Sequence, residues 1–89
     1  MSEYLIKLLP AAARQLRRLP RPAQRQVAAV FGQLAGDPRP AGCRALRGRP
    51  GELRVRTGDY RVVYEVDDDR REVVVLAVGD RRDVYHRLR

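Results

Sequence analysis

The sequence predicts a single α+β domain: an N-terminal strand, a two-helix hairpin, a three-stranded antiparallel meander completing one sheet, and a short C-terminal segment. Two observations carry this prediction. Apolar residues recur every three or four positions before residue 36, and strand-forming runs separated by turn residues follow residue 52. With 89 residues, the chain is expected to form one domain, residues 1–89, with a thin core.

The first elements are delimited by prolines and glycines. A strand is predicted at residues 4–8 (YLIKL) and a helix from Pro10 to Leu19, because proline suits the first turn of a helix. The segment 20–22 (PRP) interrupts that helix, and a second helix is predicted to end at Gly36. Its apolar residues, Val27, Val30, Phe31 and Leu34, follow the spacing i, i+3, i+4 and i+7.

The second half of the chain predicts the meander. Residues 39–51 are rich in proline, glycine and arginine without periodicity, which is typical of a connecting loop. Strands are predicted at 53–57, 60–66 and 72–78, separated by short turn segments. The tail, 81–89, is expected to be a helical turn or an extension along the sheet.

Positive charge is the strongest compositional signal. The 19 basic residues, 18 of them arginine, outnumber 11 acidic ones and give a net charge of +8. Residues 1–51 carry the whole excess, whereas residues 52–89 are balanced. A polyanion is the natural partner of such a chain, although a high-GC coding bias also favours arginine over lysine.

Part of this charge follows the predicted helices. Their polar faces are interpreted as solvated surface, with auxiliary nucleic-acid contact as the alternative. The arginines concerned are Arg14, Arg17, Arg18, Arg21 and Arg25.

Several classes of protein are disfavoured. The longest apolar run, residues 73–78, is far below the ~20 residues that span a bilayer, and the N-terminus lacks a secretory pattern. We therefore expect a soluble, cytoplasmic protein without a membrane partner. One cysteine, Cys43, and one histidine, His86, are too few for an internal disulfide or a structural zinc site. Cys43 is interpreted as a small loop residue.

The turn Gly58-Asp59 predicts where three arginines lie. A two-residue turn with glycine first places Thr57 opposite Tyr60 and Arg56 opposite Arg61. Because side chains alternate along a strand, one sheet face then carries Arg54, Arg56 and Arg61. The other face, under the helices, carries Leu53, Val55, Tyr60, Val62 and Tyr64.

Like charges directly opposite each other destabilise a sheet by something within ~0.2–1 kcal/mol. The guanidinium groups could splay into water or pair with Glu52, Glu65 or Asp80. Alternatively, they hold an anionic ligand, because the planar arginine fork matches phosphate oxygens. We favour the anionic ligand.

Four segments together resemble the RelE branch of the RelE/ParE toxin superfamily. They are residues 46–48 (LRG), 53–56 (LRVR), 58–64 (GDYRVVY) and 78–85 (VGDRRDVY). The likeness extends over nearly the whole chain, through the LP at the end of the first helix and the LAGDPR at the end of the second.

This resemblance implies a RelE-like fold and the toxin of a type II toxin–antitoxin system. Such toxins are ribosome-dependent endoribonucleases that cut mRNA in the ribosomal A site without a metal or cofactor. It also implies a small acidic, RelB-like antitoxin that neutralises the toxin in a hetero-oligomeric complex.

Carried over residue by residue, the family's positions fall on both the meander and the tail. They are Arg47 after the loop, Arg54, Arg56 and Arg61 on the strands, and Arg81 and Tyr85 beyond them. Of these, Arg54, Arg56, Arg61, Arg81 and Tyr85 are assigned catalytic roles. Arg47 is assigned to RNA binding, as is the histidine next to Tyr85, His86.

This sequence departs from the family pattern at the second-strand positions, where the best-known relatives have lysines. Arginine cannot act as a general base. Tyr85 is therefore a candidate base if neighbouring arginines lower its pKa, or else it stacks on a nucleobase, which we favour. His86 is a second candidate near the C-terminus, or a surface residue.

Two rival functions stay open. The first is a ParE-like poison of DNA gyrase, although that branch usually lacks the combination of strand arginines with Arg81 and Tyr85. The second is a module that binds nucleic acid without cleaving it, which would show steep salt dependence and no cleavage.

Overall fold

Residues 3–80 are described by a computed structural model, in which a five-stranded sheet packs against two helices. The elements are β1 (Leu5–Leu8), α1 (Pro10–Arg17), α2 (Arg21–Gly36), β2 (Arg44–Ala45), β3 (Glu52–Thr57), β4 (Tyr60–Asp67) and β5 (Glu72–Asp80). The strand order is β1-β5-β4-β3-β2. β1 runs parallel to β5, and the other neighbours are antiparallel. The predicted α+β fold, with an antiparallel β3–β4–β5 meander, is confirmed.

The predicted loop 39–51 is wrong in one respect, because it contains β2. Arg44 and Ala45 pair with Arg54 and Leu53, so this short strand forms an edge of the sheet. Two residues carry no periodicity that sequence could reveal. Their pairing follows from the tight return of the chain, in which the Leu46 amide donates to the Glu52 carbonyl at 3.0 Å.

α1 begins at the predicted Pro10 and ends two residues before the predicted Leu19. α2 begins at Arg21, inside the interrupting segment 20–22, and ends at the predicted Gly36. Leu19 precedes Pro20, and a residue before proline is disfavoured in the helical region. Neither helix combines the length and apolarity needed to cross a membrane.

The core lies between the helices and one face of the sheet. It is formed mainly by Ala12, Val27, Val30, Leu34, Val55, Val62, Tyr64, Val73, Val75 and Val78. Tyr64 is the largest fully buried side chain, and its hydroxyl donates to the Pro38 carbonyl at 2.7 Å. Burial raises the pKa of this phenol. The residue thus ties the loop after α2 to the sheet.

A β-bulge shapes the end of β5. Val63 pairs with Ala77 and Tyr64 pairs with Val75, so Leu76 is an additional residue on β5. β1 pairs with β5 only as far as Val75. Beyond that point the Val78 amide donates to the buried side chain of Gln15 on α1, at 2.8 Å. β5 extends two residues past the predicted end at Val78, because Gly79 and Asp80 pair with Arg61 and Tyr60 on β4.

Candidate functional site: arginines on the sheet face opposite the helices

The β3–β4 hairpin forms in the predicted register. Gly58 has a φ of +59°, the left-handed conformation that glycine adopts without steric cost. Thr57 pairs with Tyr60, and Arg56 pairs with Arg61. The turn therefore determines which strand arginines become neighbours.

Alternation then separates the two faces of the sheet. Val55, Val62 and Tyr64 are buried against the helices, as predicted. Arg54, Arg56 and Arg61 lie on the opposite face, which we call the arginine face. Sequence reasoning missed one member, because Arg44 on β2 pairs with Arg54 and joins the same face. We call these four residues the arginine cluster.

No ion pair within residues 3–80 neutralises the cluster. Glu52, one of the acidic partners considered from sequence, pairs instead with Arg49 in the loop before β3. Glu65 lies across from Glu52 in the sheet and forms no ion pair with the cluster among the described residues. The positive charge of the cluster is thus available to an added anion.

Arg61 has two buried side-chain nitrogens without hydrogen bonds, more than any other residue between 3 and 80. Its Nε and Nη1 are buried, and neither has a hydrogen-bond partner among residues 3–80. Arg61 is flanked in the sheet by Arg56 on β3 and by Gly79 on β5. A buried donor without an acceptor costs about 1–3 kcal/mol, and more when it is charged. An anionic acceptor would remove that cost.

An apolar floor adjoins the arginines. Val63 and Ala77 are fully buried on the arginine face, with Leu46 and Leu76 packed against them. Charges interact more strongly beside such low-dielectric surroundings than in water. The floor therefore strengthens attraction between the cluster and an anion.

Three cluster members also line a cavity at the β2–β3 edge of the sheet. Arg44, Arg54 and Arg56 surround a volume of about 410 Å³, together with Gln33 and Pro40. The cavity extends the positive surface from the middle of the sheet towards its edge.

Arg47 lies in the turn between β2 and β3 and is exposed. The residue before it, Leu46, packs on Val63 and Ala77, so the turn is anchored at the arginine face. Gly48 has a φ of +74°, which the tight turn requires. Arg47 therefore directly follows a residue that packs on the arginine face.

Arg81, Tyr85 and His86 fall outside the described residues, so their roles stay predictions. Within residues 3–80, no group of three or more His, Cys, Asp or Glu side chains could hold a metal ion. The cluster itself supplies donors and positive charge but no general base, because arginine stays protonated. Its chemical capability is binding an anion and stabilising added negative charge.

The comparisons with known proteins define the class of protein. The family model of the ParE toxin of type II toxin–antitoxin systems, parDE, matches residues 6–85. Toxin RelG of Mycobacterium tuberculosis is 36% identical over 88 residues, covering 94% of this chain and 98% of its own. Toxin RelE of the same organism is 36% identical over 83 residues, covering 92% of this chain and 86% of its own.

Solved structures agree in fold and in branch. The M. tuberculosis RelBE2 toxin–antitoxin complex matches with a TM-score of 0.77 at 33% identity, covering 89% of this chain and 99% of that one. The isolated E. coli RelE toxin matches with a TM-score of 0.77 at 28% identity, covering 93% and 92%. The chain belongs to the RelE/ParE family of type II toxins, and the relatives named here are RelG and RelE toxins and a RelBE complex.

Proposed function

We propose that this RelE-family toxin is a ribosome-dependent endoribonuclease that cleaves mRNA in the A site. The ribose 2′-oxygen attacks the adjacent phosphorus, the bond from phosphorus to the 5′ oxygen breaks, and that oxygen takes up a proton. The products are a 2′,3′-cyclic phosphate and a 5′-hydroxyl end. No cofactor is involved in this proposal.

The observation that carries the proposal is Arg61, with two buried donor nitrogens that lack an acceptor. A scissile phosphate beside it would satisfy these donors. Arg54 and Arg56 would neutralise the charge that builds on the phosphate as the 2′-oxygen attacks. One such preorganised donor is worth ~2.7–4 kcal/mol of transition-state stabilisation in other enzymes.

Proton transfer is assigned to the C-terminal residues. In this proposal Arg81 supports the leaving 5′ oxygen, Tyr85 stacks on the exposed base or accepts the 2′ proton, and Arg47 and His86 hold the RNA. The group that takes the 2′ proton is Tyr85, or else His86 acting as a base instead of an RNA contact, because no arginine can serve.

The first prediction tests cleavage directly. Expression of the chain alone should arrest growth and produce mRNA cleavage products, which primer extension detects. Arg61→Ala should lower the cleavage rate by about 10²–10³-fold, since it removes a donor aimed at developing charge. Arg70→Ala is the matched control, because Arg70 is exposed on the β4–β5 turn and should leave cleavage unchanged.

Two outcomes would contradict the proposal. Full growth arrest by the folded Arg61→Ala protein would show that the cluster is not the site. Intact transcripts with trapped gyrase–DNA complexes would indicate the ParE-like function, and RNA binding without cleavage would indicate a binding module.

The proposed partner is a small acidic, RelB-like antitoxin in a hetero-oligomeric complex in the cytoplasm. The net charge of +8 supports an acidic partner, as does a cluster that forms no ion pair with the residues that the structure describes. Several structural relatives are toxin–antitoxin complexes, including the intact E. coli RelBE complex at 28% identity and a TM-score of 0.76.

A further inference from the structure

The last residues of β5 lie next to Arg61 in the sheet. Gly79 pairs with Arg61, and Asp80 pairs with Tyr60. Because glycine has no side chain, the flank of Arg61 on this side is backbone. The position of that backbone therefore limits where the Arg61 guanidinium can lie.

This end of β5 has a strand neighbour on only one side. β4 pairs with β5 as far as Asp80, whereas β1 pairs with it only as far as Val75. The Leu9 amide donates to the Val75 carbonyl at 3.0 Å, and the chain then turns away from the sheet into α1 at Pro10. Beyond Val75, buried backbone groups of β5 on the β1 side need partners from another element.

Gln15 on α1 supplies one of these partners. Its Oε1 accepts a hydrogen bond from the Val78 amide at 2.8 Å, across 63 residues of sequence. Val78 is fully buried, and Gln15 is only 8% exposed. Backbone groups of successive residues point to opposite sides of a strand, so those of Gly79 point to β4, where Arg61 lies. The bond to Gln15 thus holds the strand at the residue before Gly79.

Packing alone does not explain a glutamine at this position. Gln15 is three residues after Ala12 and four before Leu19, and both of these pack in the core, so it occupies the apolar stripe of α1. Among residues 3–80 it is the only polar or charged residue that is buried as a whole. An alkyl side chain would pack there without burying an amide. What the glutamine adds is its hydrogen bond to Val78.

Close packing does not hold the end of β5 on this side. A cavity of about 230 Å³ adjoins it, with Gln15, Val78 and Gly79 among the residues that line it. A strand end beside a cavity can shift more easily than one in a close-packed interior. The Gln15 hydrogen bond therefore restrains the strand where β1 no longer does.

We propose that Gln15 is a positioning residue for the arginine face. By holding the Val78 amide, it keeps the end of β5 in place against β4 and so sets the direction in which Arg61 presents its donor nitrogens. Gln15 lies on the helix side of the sheet and takes no part in the chemistry. The inference rests on the proposed function, because the reaction that it concerns is cleavage at Arg61.

The test compares two glutamine-to-methionine variants. Gln15→Met keeps the length of the side chain and removes the acceptor. Cleavage is measured with the toxin in excess over ribosomes that carry a defined mRNA. The maximal rate should fall about 10–100-fold, because a small misplacement of a catalytic group costs this much. The toxin concentration that gives half the maximal rate should stay nearly unchanged, because the positive charge that attracts RNA is intact.

Gln24→Met is the matched control. The Gln24 side chain also bonds to backbone, donating to the Arg17 carbonyl at 3.2 Å and to the Leu19 carbonyl at 2.9 Å. These bonds lie at the connection between the helices, away from the end of β5. Gln24→Met should therefore leave both the maximal rate and the half-saturating concentration unchanged.

Gln15→Glu separates the hydrogen bond from the packing. It keeps an acceptor oxygen, and its charge can be balanced by Arg18, which is three residues further along and lines the same cavity. This variant should recover most of the maximal rate. Wild-type cleavage by Gln15→Met, an equal loss in Gln24→Met, or a Gln15→Glu protein as slow as Gln15→Met would each overturn the proposal.

NMR spectroscopy tests the positioning without cleavage. The Nε–H resonance of Arg61 should shift in Gln15→Met and stay in place in Gln24→Met, and only Gln15→Met should speed hydrogen exchange at the Val78 amide. If the wild-type protein cuts no mRNA and these signals still behave as expected, the proposed function is wrong and the positioning of Arg61 by Gln15 holds. An Arg61 resonance that does not move in Gln15→Met would contradict the positioning even in an active nuclease.

Discussion

Arg61 illustrates how a single residue can be costly to the fold and useful to function. Its Nε and Nη1 are buried without acceptors in the described part of the chain, and its cross-strand neighbour is another arginine, Arg56. Both features oppose folding. Residues that carry such costs are often retained for activity rather than for stability.

The stability of Arg61→Met follows from this conflict. Methionine keeps the length of the side chain and removes the unsatisfied donors, so the free energy of unfolding should rise by about 1 kcal/mol while cleavage is lost. Urea unfolding monitored by circular dichroism measures the first effect, and primer extension measures the second.

Arg49→Met is the matched control for that experiment. Arg49 pairs with Glu52, whose side chain is only 12% exposed, so removing the guanidinium leaves a nearly buried carboxylate without its partner. This variant should lower the free energy of unfolding. If Arg61→Met lowers it equally, the Arg61 nitrogens are satisfied in solution and the argument for an anion site there is lost.

At the scale of residues, the positions of the strand arginines could be predicted because the turn Gly58-Asp59 could be. Once Gly58 and Asp59 were interpreted as a two-residue turn, the register of Arg54, Arg56 and Arg61 followed from alternation, and the structure confirms it. Arg44 was missed because its place depends on the pairing of a two-residue strand. The buried state of the Arg61 nitrogens was also beyond the sequence, since it depends on three-dimensional packing.

At the scale of elements, the β3–β4 hairpin should be sensitive to its turn. A residue that replaces Gly58 would have to adopt its φ of +59°, and its Cβ would lie 3.3 Å from the Gln26 side-chain oxygen. A non-glycine residue in the left-handed region costs roughly 1–2 kcal/mol. Gly58→Ala should therefore lower the free energy of unfolding by about this amount and also weaken cleavage, since the turn aligns Arg56 with Arg61.

Gly32→Ala is the matched substitution in a helix. Gly32 lies inside α2, is exposed, and has no atom within 4 Å of the added Cβ. Because glycine is a poor helix former, this change should raise the free energy of unfolding by about 0.5–1 kcal/mol. Urea unfolding measures both variants. A lower free energy of unfolding for Gly58→Ala and a higher one for Gly32→Ala would support the hairpin geometry, and changes in the same direction would contradict it.

Elements with a strong local signal could be predicted, and those fixed by distant contacts could not. Proline and glycine signals placed both helices closely, and β3 to β5 appeared as strand-forming runs. The parallel pairing of β1 with β5 joins opposite ends of the sequence, and no local pattern specifies it. The bulge at Leu76 depends on matching β5 to both β4 and Gln15, which is also a tertiary effect.

On the scale of the whole molecule, charge and apolar surface are separated. The arginine cluster and the exposed helix arginines Arg17, Arg21 and Arg25 are positive. The exposed large apolar side chains of the described residues are Leu5 on the edge strand β1 and Leu9 beside it. An acidic antitoxin would be attracted by the first kind of surface and anchored by the second. These two contributions affect different rate constants.

The last prediction concerns that association. Raising salt from low to physiological concentration should lower kon for the acidic antitoxin by about tenfold or more and leave koff nearly unchanged, because charge steers the encounter. Leu5→Ser should raise koff with little effect on kon. Leu5 is 59% exposed in the free protein, so the change removes apolar surface that the antitoxin would bury. Surface-immobilised toxin and injected antitoxin give both rate constants. A salt-insensitive kon would show that the positive charge of the toxin does not serve this partner, and its dedicated use would then be RNA.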